Sequence, residues 1–290
     1  MKYKNNVTGV LLINKPKGIT SRDVVNQIQK KLNTKAGHTG TLDPIASGLL
    51  VITLGKATKL NELLTSTIKE YEAQAILGIE TDSLDITGKT IIEKETIISK
   101  EKVLEALNHF KGSYDQEVPK YSAVKINGKK LYEYARSGKE IELPKRKVTI
   151  YDISLQDYKI KDNKTHIKFK VTVSKGTYIR SLIRDIAKYL NTYGTMSNLI
   201  RTSQGKFTLN QSKTIEEVSN EDVKKIKDVL DMPQITVDEE EKFKILNGQK
   251  LNYNYEEVLF LDSFGTELAI YKKQNSTFKI YKMLYEKENK

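Results

Sequence analysis

The sequence contains no cysteine, and histidine occurs only three times in its 290 residues. Without cysteine, disulfides, thiolate chemistry and cysteine-based zinc sites are excluded. The histidines, His38, His109 and His166, lie far apart and have no metal-ligand spacing. We therefore expect no metal site, and the absence of cysteine fits a reducing compartment such as the cytoplasm.

Long hydrophobic runs are also absent. Residues 1–6 lead into an apolar run, Val10 to Ile13, that is too short for the core of a signal peptide or for a membrane span. No other uncharged apolar segment approaches the length of a span. We therefore expect a cytoplasmic protein with no membrane contact.

The composition favours a folded protein that binds nucleic acid. Hydrophobic residues make up 38% of the chain, enough for one sizeable domain plus a small one. Lysine and arginine total 49 against 37 acidic residues, which gives a formal net charge of +12. This excess favours a polyanionic partner, with nucleic acid as the leading candidate, whereas solvated surface lysines are the ordinary alternative.

The most informative stretch of the sequence runs from Lys35 to Lys59. Its first half is a glycine-rich turn with one histidine and one carboxylate, and its second half, Leu49 to Leu54, is an apolar run of strand length. Asp43 precedes Pro44, so its backbone is expected to be extended and its carboxylate can project into a cleft. Taken alone, this dipeptide is more typical of the start of an ordinary turn.

Two strings within this stretch are specific. They read Gly37-His38-Thr39-Gly40-Thr41-Leu42-Asp43-Pro44 and Ala46-Ser47-Gly48-Leu49-Leu50. Together they closely resemble the catalytic motif of the TruB family of RNA pseudouridine synthases, and the resemblance spans most of residues 10 to 207. It implies an enzyme that isomerises a uridine in the T-loop of tRNA, at position 55, to pseudouridine. The base would be flipped out, and its glycosidic bond would be broken with the help of an aspartate and re-formed through carbon 5, without a cofactor.

The resemblance implies catalytic roles for three residues. Asp43 would act as a nucleophile or as a base at the sugar. Arg180, which follows the strand predicted over 167–173, would pair with Asp43 and favour its ionised form, although by itself it could be a surface arginine. Tyr71, on the strand predicted over 68–78, could fill a gap in the core or stack on a base, and the resemblance implies stacking on the target uracil.

Four further residues are implied to bind the substrate. His38 would occupy the space that the flipped base leaves. Tyr178 and Leu199 match family segments close to the catalytic aspartate and the uracil pocket. Lys15 lies in a lysine-proline turn that resembles the family's first motif, beside the catalytic loop, or is part of a plain strand-to-helix connection. Ile200 stands where the family often has an arginine, which leaves the role of that position open.

The segment from about 116 to 150 mixes basic and aromatic residues, most densely in Tyr121 to Arg136 and in the basic cluster 145–147. Cations can meet phosphates and aromatic rings can meet unpaired bases, whereas a solvated helix-loop insertion is the ordinary alternative. The segment resembles the insertion with which bacterial members of the family grip tRNA. The expected partner is therefore the T-arm of tRNA; no protein partner is implied, and we expect a monomer.

Apolar spacing predicts the remaining organisation of the chain. Helices are predicted over 24–32 and over 100–110, where Leu104 is one of the apolar positions. Short strands near 258–261, 268–271 and 278–281 indicate a small β-rich module. The predicted fold class is α+β: a mixed-sheet pseudouridine synthase core with helices and an RNA-gripping insertion, plus a small β-rich, PUA-like C-terminal domain. The predicted boundaries are 1–235 for the catalytic domain and 236–290 for the PUA-like domain.

Three other functions fit the sequence less well. A non-catalytic protein of the same fold that binds RNA or folds tRNA would not need Asp43, Tyr71 and Arg180 together. The guide-RNA-dependent branch of the family is disfavoured by the basic and aromatic insertion. A glycosidase is disfavoured because no second carboxylate stands at a convincing position.

Overall fold

A mixed β-sheet forms the centre of the structure and carries the loop that contains Asp43. The computed structural model describes residues 7–65, 68–139, 141–274 and 277–285, so the N-terminal segment 1–6 lies outside the described residues. The strands are β1 (Gly9–Lys15), β2 (Ala36–His38), β3 (Ser47–Leu54), β4 (Lys69–Leu77), β5 (Ile79–Thr81), β6 (Thr90–Glu93), β7 (Gly112–Glu117), β8 (Lys125–Ile126), β9 (Lys129–Lys130), β10 (Lys145–Lys161), β11 (Lys164–Val173), β12 (Gly194–Gln204), β13 (Phe207–Thr208), β14 (Gln234–Thr236), β15 (Glu257–Leu261), β16 (Glu267–Gln274) and β17 (Thr277–Met283). The helices are α1 (Ser21–Leu32), α2 (Asn61–Thr65), α3 (Lys100–His109), α4 (Leu131–Arg136), α5 (Ile179–Tyr189), α6 (Ile226–Val229) and α7 (Glu239–Leu246).

The main sheet has nine strands within the described ranges. Their order is β1-β3-β12-β4-β11-β10-β7, with β2 paired to β3 and β13 paired to β12. Strands β3 and β12 are parallel to each other, and the other neighbours are antiparallel. The expectation of a mixed sheet with helices is therefore confirmed. The parallel contact is short, and it lies directly after the Asp43 loop, where Gly48 faces Arg201.

The helices form where the sequence supplies caps and an apolar face. Thr20 caps α1, because its side chain accepts the N–H of Asp23 while the Asp23 carboxylate accepts the N–H of Thr20. Helix α3 also forms where it was predicted, but Leu104 is 46% exposed because the buried face turns towards Ala106 instead. Among the described helices, none is long and apolar enough to cross a membrane.

The predicted insertion leaves the main sheet between β7 and β10. Its predicted ends, at 116 and 150, fall within these two strands, so residues 118–139 and 141–144 are the described part that lies outside the sheet. This part contains α4 and the β8–β9 hairpin, whose turn residues Asn127 and Gly128 both have positive φ, 49° and 81°. Such φ values are typical of a tight two-residue hairpin turn.

A second sheet forms near the C-terminus, with the strand order β14-β15-β16-β17. Three of its strands cover the segments predicted from the sequence, so a small β-rich C-terminal unit is confirmed. The sheet packs against β1 and β3 in one apolar cluster, in which Leu259 and Ile270 are buried together with Leu49 and Val51. The PUA-like assignment and the boundary at residue 235, which falls within β14, stay predictions.

Candidate active site

A cavity of about 630 Å³ lies where the Asp43 loop, β4, β12 and the start of α5 meet. The sequence-predicted site residues that line it are His38, Asp43, Tyr71, Tyr178, Arg180 and Leu199. Tyr121 and Tyr132 of the insertion complete one side of it. A neighbouring cavity of about 770 Å³ shares Tyr121 but includes none of the predicted site residues.

The backbone on both sides of Asp43 is fixed by the segment that leads into α1. The hydroxyl of Ser21 donates to the carbonyl of Leu42 at 3.0 Å and accepts the N–H of Leu42 at 2.8 Å. The N–H of Gly18 donates to the carbonyl of Pro44 at 2.8 Å. Asp43 is therefore held between two anchored neighbours, and its carboxylate, 35% exposed, reaches the cavity.

Arg180 is the buried partner of Asp43. Its Nε lies 2.9 Å from Oδ2 of Asp43, and its side chain is only 6% exposed. Its Nη1 donates to the carbonyl of Ser83 at 2.9 Å, and its Nη2 donates to the carbonyl of Tyr121 at 3.0 Å. One guanidinium group thus joins the Asp43 loop, the polar loop 81–88 and the insertion, and its buried charge has a carboxylate and two carbonyl acceptors.

Tyr71, Leu199 and Tyr178 supply an apolar and aromatic part of the wall. Tyr71 is 7% exposed and lies opposite Arg201 in the antiparallel β4–β12 pair. Burial raises the pKa of Tyr178, so its hydroxyl keeps its proton at neutral pH and can donate a hydrogen bond. This wall can therefore pack against the face of a planar ring and donate one hydrogen bond to an acceptor on that ring.

His38 ends β2 at the rim of the same cavity. Its Nδ1 accepts the N–H of Gly40 at 3.3 Å, so this nitrogen carries no proton. Burial lowers the pKa of His38, and the positive charges of Arg201 and Arg22 lower it further. The imidazole is therefore neutral at pH 7.

Lys15 differs from the other predicted site residues because it does not line the cavity. Its side chain is fully buried, and its Nζ donates to the carbonyls of Pro16 at 2.9 Å and Ile19 at 2.8 Å. Burial lowers the pKa of Lys15 to about 8, while the nearby Asp43 opposes that shift. Lys15 thus fixes the turn that follows β1, and its assignment to substrate binding stays a prediction.

Arg201 is a site residue that the sequence prediction missed. It is 1% exposed and lines the cavity, with Nε donating to the carbonyl of Leu49 at 2.7 Å and Nη2 to that of Gly40 at 3.1 Å. It therefore fixes both ends of the Asp43 loop. An arginine was expected at 200, where Ile200 stands, but the arginine that reaches the site is the next residue along β12. Successive side chains of a strand point to opposite faces, so the shift by one residue decides which reaches the cavity.

Lys69 was also missed by the sequence prediction. It lines the cavity and is 7% exposed, and its Nζ donates to the carbonyl of Thr65 at 2.9 Å. Burial lowers the pKa of Lys69 to about 8, and Arg201 and Lys175 lower it further. Its spacing in the sequence could have identified it: Lys69 stands two positions before Tyr71 on the same strand, so the two side chains lie on the same face of the sheet.

The fold is shared with chains of solved complexes. One is a chain of an H/ACA RNP bound to a substrate RNA containing 2′-deoxyuridine, with a TM-score of 0.70 and 22% identity, covering 97% of this chain and 86% of that one. Another comes from a Cbf5-Nop10-Gar1 complex, with a TM-score of 0.70 and 24% identity, covering 96% and 85%. At 22% and 24% sequence identity, this similarity shows the fold alone.

The sequence defines the family. Residues 27–179 match the model of the TruB family pseudouridylate synthase, N-terminal domain. The chain is 39% identical over 283 residues to tRNA pseudouridine synthase B of Caldicellulosiruptor saccharolyticus, covering 94% of this chain and 97% of the relative. It is 49% identical over 216 residues to tRNA pseudouridine synthase B of Bacillus subtilis, covering 73% and 70%. The fold and the matched domain are those of a pseudouridylate synthase. The chain belongs to the TruB family.

Proposed function

We propose that this protein isomerises a uridine in the T-loop of tRNA, at position 55, to pseudouridine. The observation that carries the proposal is the ion pair between Asp43 and the buried Arg180 at a cavity lined by Tyr71, within a chain of the TruB family. The relatives named tRNA pseudouridine synthase B support tRNA as the substrate.

The chemistry needs a carboxylate but no oxidant or reductant. The bond between N1 of the base and C1′ of the sugar breaks, the base turns, and C5 becomes bonded to C1′. C5 then loses its hydrogen as a proton, and N1 gains one, so atoms and electrons balance. Asp43 supplies the carboxylate, as a nucleophile or as a base at the sugar. Arg180 fixes the position of that carboxylate through the 2.9 Å contact.

The other wall residues suit a flipped base. Tyr71 stacks on the uracil, and Leu199 and Tyr178 close the pocket around it. His38, held neutral, enters the stack of the RNA in place of the extruded uridine, where an imidazole ring replaces part of the lost stacking. Removing the base from its stack costs a few kcal/mol, which these contacts offset.

The remaining parts of the chain bind the RNA around the flipped base. In this proposal residues 1–235 are the catalytic domain, the insertion at about 116–150 grips the T-arm, and the PUA-like domain 236–290 adds RNA contacts. The protein acts as a cytoplasmic monomer without a cofactor. Because cations meet phosphates, the logarithm of affinity should fall with the logarithm of salt concentration by about 0.7 per contact on single-stranded RNA.

The test is tritium release from unmodified tRNA labelled at C5 of uridine, because isomerisation frees that hydrogen. Wild-type protein is compared with Asp43→Asn and with Asp157→Asn, a matched control that removes an exposed carboxylate on β10. We expect release by wild type and by Asp157→Asn, and none by Asp43→Asn.

Replacing the T-loop uridine in the labelled tRNA should also abolish release. Release that persists after this replacement would place the target elsewhere in the tRNA. A wild-type protein that binds tRNA but releases no tritium would contradict the enzymatic proposal and leave an RNA-binding protein of the same fold.

A further inference from the structure

The start of helix α5 carries two of the site residues but has no side-chain cap of its own. Tyr178 is the N-cap residue, with extended backbone, and its side chain makes no capping hydrogen bond. Arg180 is the second residue of the helix. The position at which α5 begins therefore sets where both side chains enter the cavity, and it needs support from outside the helix.

Gln116 of β7 supplies that support. Its side-chain Oε1 accepts the N–H of Tyr178 at 2.7 Å, and its Nε2 donates to the carbonyl of Tyr178 at 3.1 Å. Nε2 also donates to the hydroxyl of Tyr114 at 2.7 Å. The amide group thus pairs with the Tyr178 backbone as a neighbouring strand would. Its orientation is fixed, because a flipped amide would place its NH₂ group against the N–H of Tyr178 and its oxygen against the carbonyl of Tyr178.

The amide of Gln116 is 1% exposed, so water does not compete for these bonds. Next to it, the hydroxyl of Ser181 donates to the carbonyl of Glu117 at 2.8 Å. Nη2 of Arg180 donates to the carbonyl of Tyr121 at 3.0 Å. The segment in which the chain passes from β7 into the insertion is thus bonded to the first residues of α5.

We propose that Gln116 is a positioning residue for the isomerisation. It is not among the residues that line the cavity, and it acts through the backbone of Tyr178, which places Tyr178 and Arg180 against the substrate and Asp43. The inference rests on the proposed function. A displacement of about 1 Å in such a constellation can cost on the order of a hundredfold in rate, although the residue that moved it touches no substrate.

The test compares Gln116→Met, which keeps the length of the side chain but removes its hydrogen bonds, with wild type in the tritium-release assay. We expect kcat to fall by about ten- to a hundredfold while KM for tRNA stays within about threefold. The matched control is Thr165→Val. Thr165 is also fully buried in the main sheet but does not line the cavity. Its hydroxyl accepts the N–H of Ile98 at 2.9 Å and donates to the carbonyl of Thr96 at 3.2 Å, and valine would lose both bonds. Thr165→Val should lose thermal stability and keep kcat.

A folded Gln116→Met protein with wild-type kcat would overturn the inference, and so would a change confined to KM. A kcat loss of equal size in Thr165→Val would also overturn it, since general loosening would then explain both. If Gln116→Met does not fold, Gln116→Glu takes its place, because it keeps the acceptor for the N–H of Tyr178 but has at most one O–H, which cannot donate to both the Tyr178 carbonyl and the Tyr114 hydroxyl. The same loss of kcat is expected. An inactive wild type overturns the proposed function and the inference together, whereas an active wild type with unimpaired variants overturns the inference alone.

Discussion

At the scale of single residues, the site is distinguished by buried positive charge. Lys15, Lys69, Arg180 and Arg201 are each at most 7% exposed, whereas the carboxylate of Asp43 is partly exposed. Arg180 and Arg201 are bonded to protein acceptors, which offsets the cost of removing guanidinium groups from water. The lysines respond to burial differently, since an ammonium group can lose its proton.

Lys69 should therefore give the protein a distinctive dependence of stability on pH. Its pKa is about 8 in the folded protein against 10.5 for an ordinary lysine, so between these values the unfolded chain binds more protons. Stability from this group then rises with pH across that window, by on the order of 3 kcal/mol in total. Relative to Lys69→Met, which lacks the group, wild type should gain in Tm from pH 8 to pH 10 and show no such trend below pH 7.

Lys170 provides the control for this experiment. It is exposed on β11, and its bond to Glu70 raises its pKa above 10.5, so its contribution is already complete below that value. The Tm difference between wild type and Lys170→Met should thus stay constant from pH 8 to pH 10. Parallel pH profiles for wild type and Lys69→Met would contradict the burial argument for Lys69.

At the scale of elements, the sequence predicted those segments whose apolar residues form a clear pattern. Helix α1 and strand β4 were found because their apolar residues repeat with the period of the element, and β3 was found as a continuous apolar run of strand length. Strand β10 was not predicted, because it is mostly exposed along its length and shows no such alternation. Its first residues, 145–147, were instead interpreted as part of the insertion.

The candidate site, too, could be predicted only where the sequence carries a local pattern. The motif pointed to Asp43, the resemblance implied Arg180 as its partner, and the two side chains lie 2.9 Å apart in the structure. The burial of Arg201 could not be predicted, because it depends on backbone acceptors supplied by other segments of the chain. The acceptor for Nε of Arg201 comes from Leu49, 152 positions away. Such tertiary bonds leave no local pattern in the sequence.

The turn from the Asp43 loop into β3 gives a prediction at this scale. Gly48 has φ +102°, and a Cβ there would lie 2.4 Å from the carbonyl oxygen of Arg201 on β12. Gly48→Ala should therefore push β3 and β12 apart where they run parallel. We expect it to cost several kcal/mol in urea unfolding, more than the roughly 1–3 kcal/mol of backbone strain alone, and to lower tritium release.

Gly112 provides the control that separates the steric clash from the backbone strain in the loss of stability. It has nearly the same φ, +106°, but a Cβ there would meet no atom within 4 Å. Gly112→Ala should consequently show only the strain component and keep its activity. If both variants lost the same stability, contact between Gly48 and Arg201 would not be what requires a glycine at the end of the loop.

At the scale of the whole molecule, the C-terminal sheet supports the strand that carries the Asp43 loop. Strand β3 is buried on both faces: Leu50 and Ile52 pack into the main core, and Leu49 and Val51 pack into the cluster shared with the C-terminal sheet. A strand covered on both sides is apolar throughout, as the run from Leu49 to Leu54 is. The C-terminal unit thus completes the core on one face of β3.

Two neighbouring residues of β15 test this support. Leu259 is fully buried in the cluster shared with β1 and β3, whereas Phe260 is fully buried in the separate core of the C-terminal sheet. Each substitution by alanine should cost about 2–5 kcal/mol through a cavity. Only Leu259→Ala opens that cavity against β3, so it should speed hydrogen exchange of the β3 amides and reduce kcat several-fold. Phe260→Ala should leave β3 exchange near that of wild type under native conditions. If hydrogen exchange of the β3 amides were equally faster in both variants, the cluster in which the substituted side chain lies would make no difference. The C-terminal sheet would then affect β3 only through the global stability of the protein.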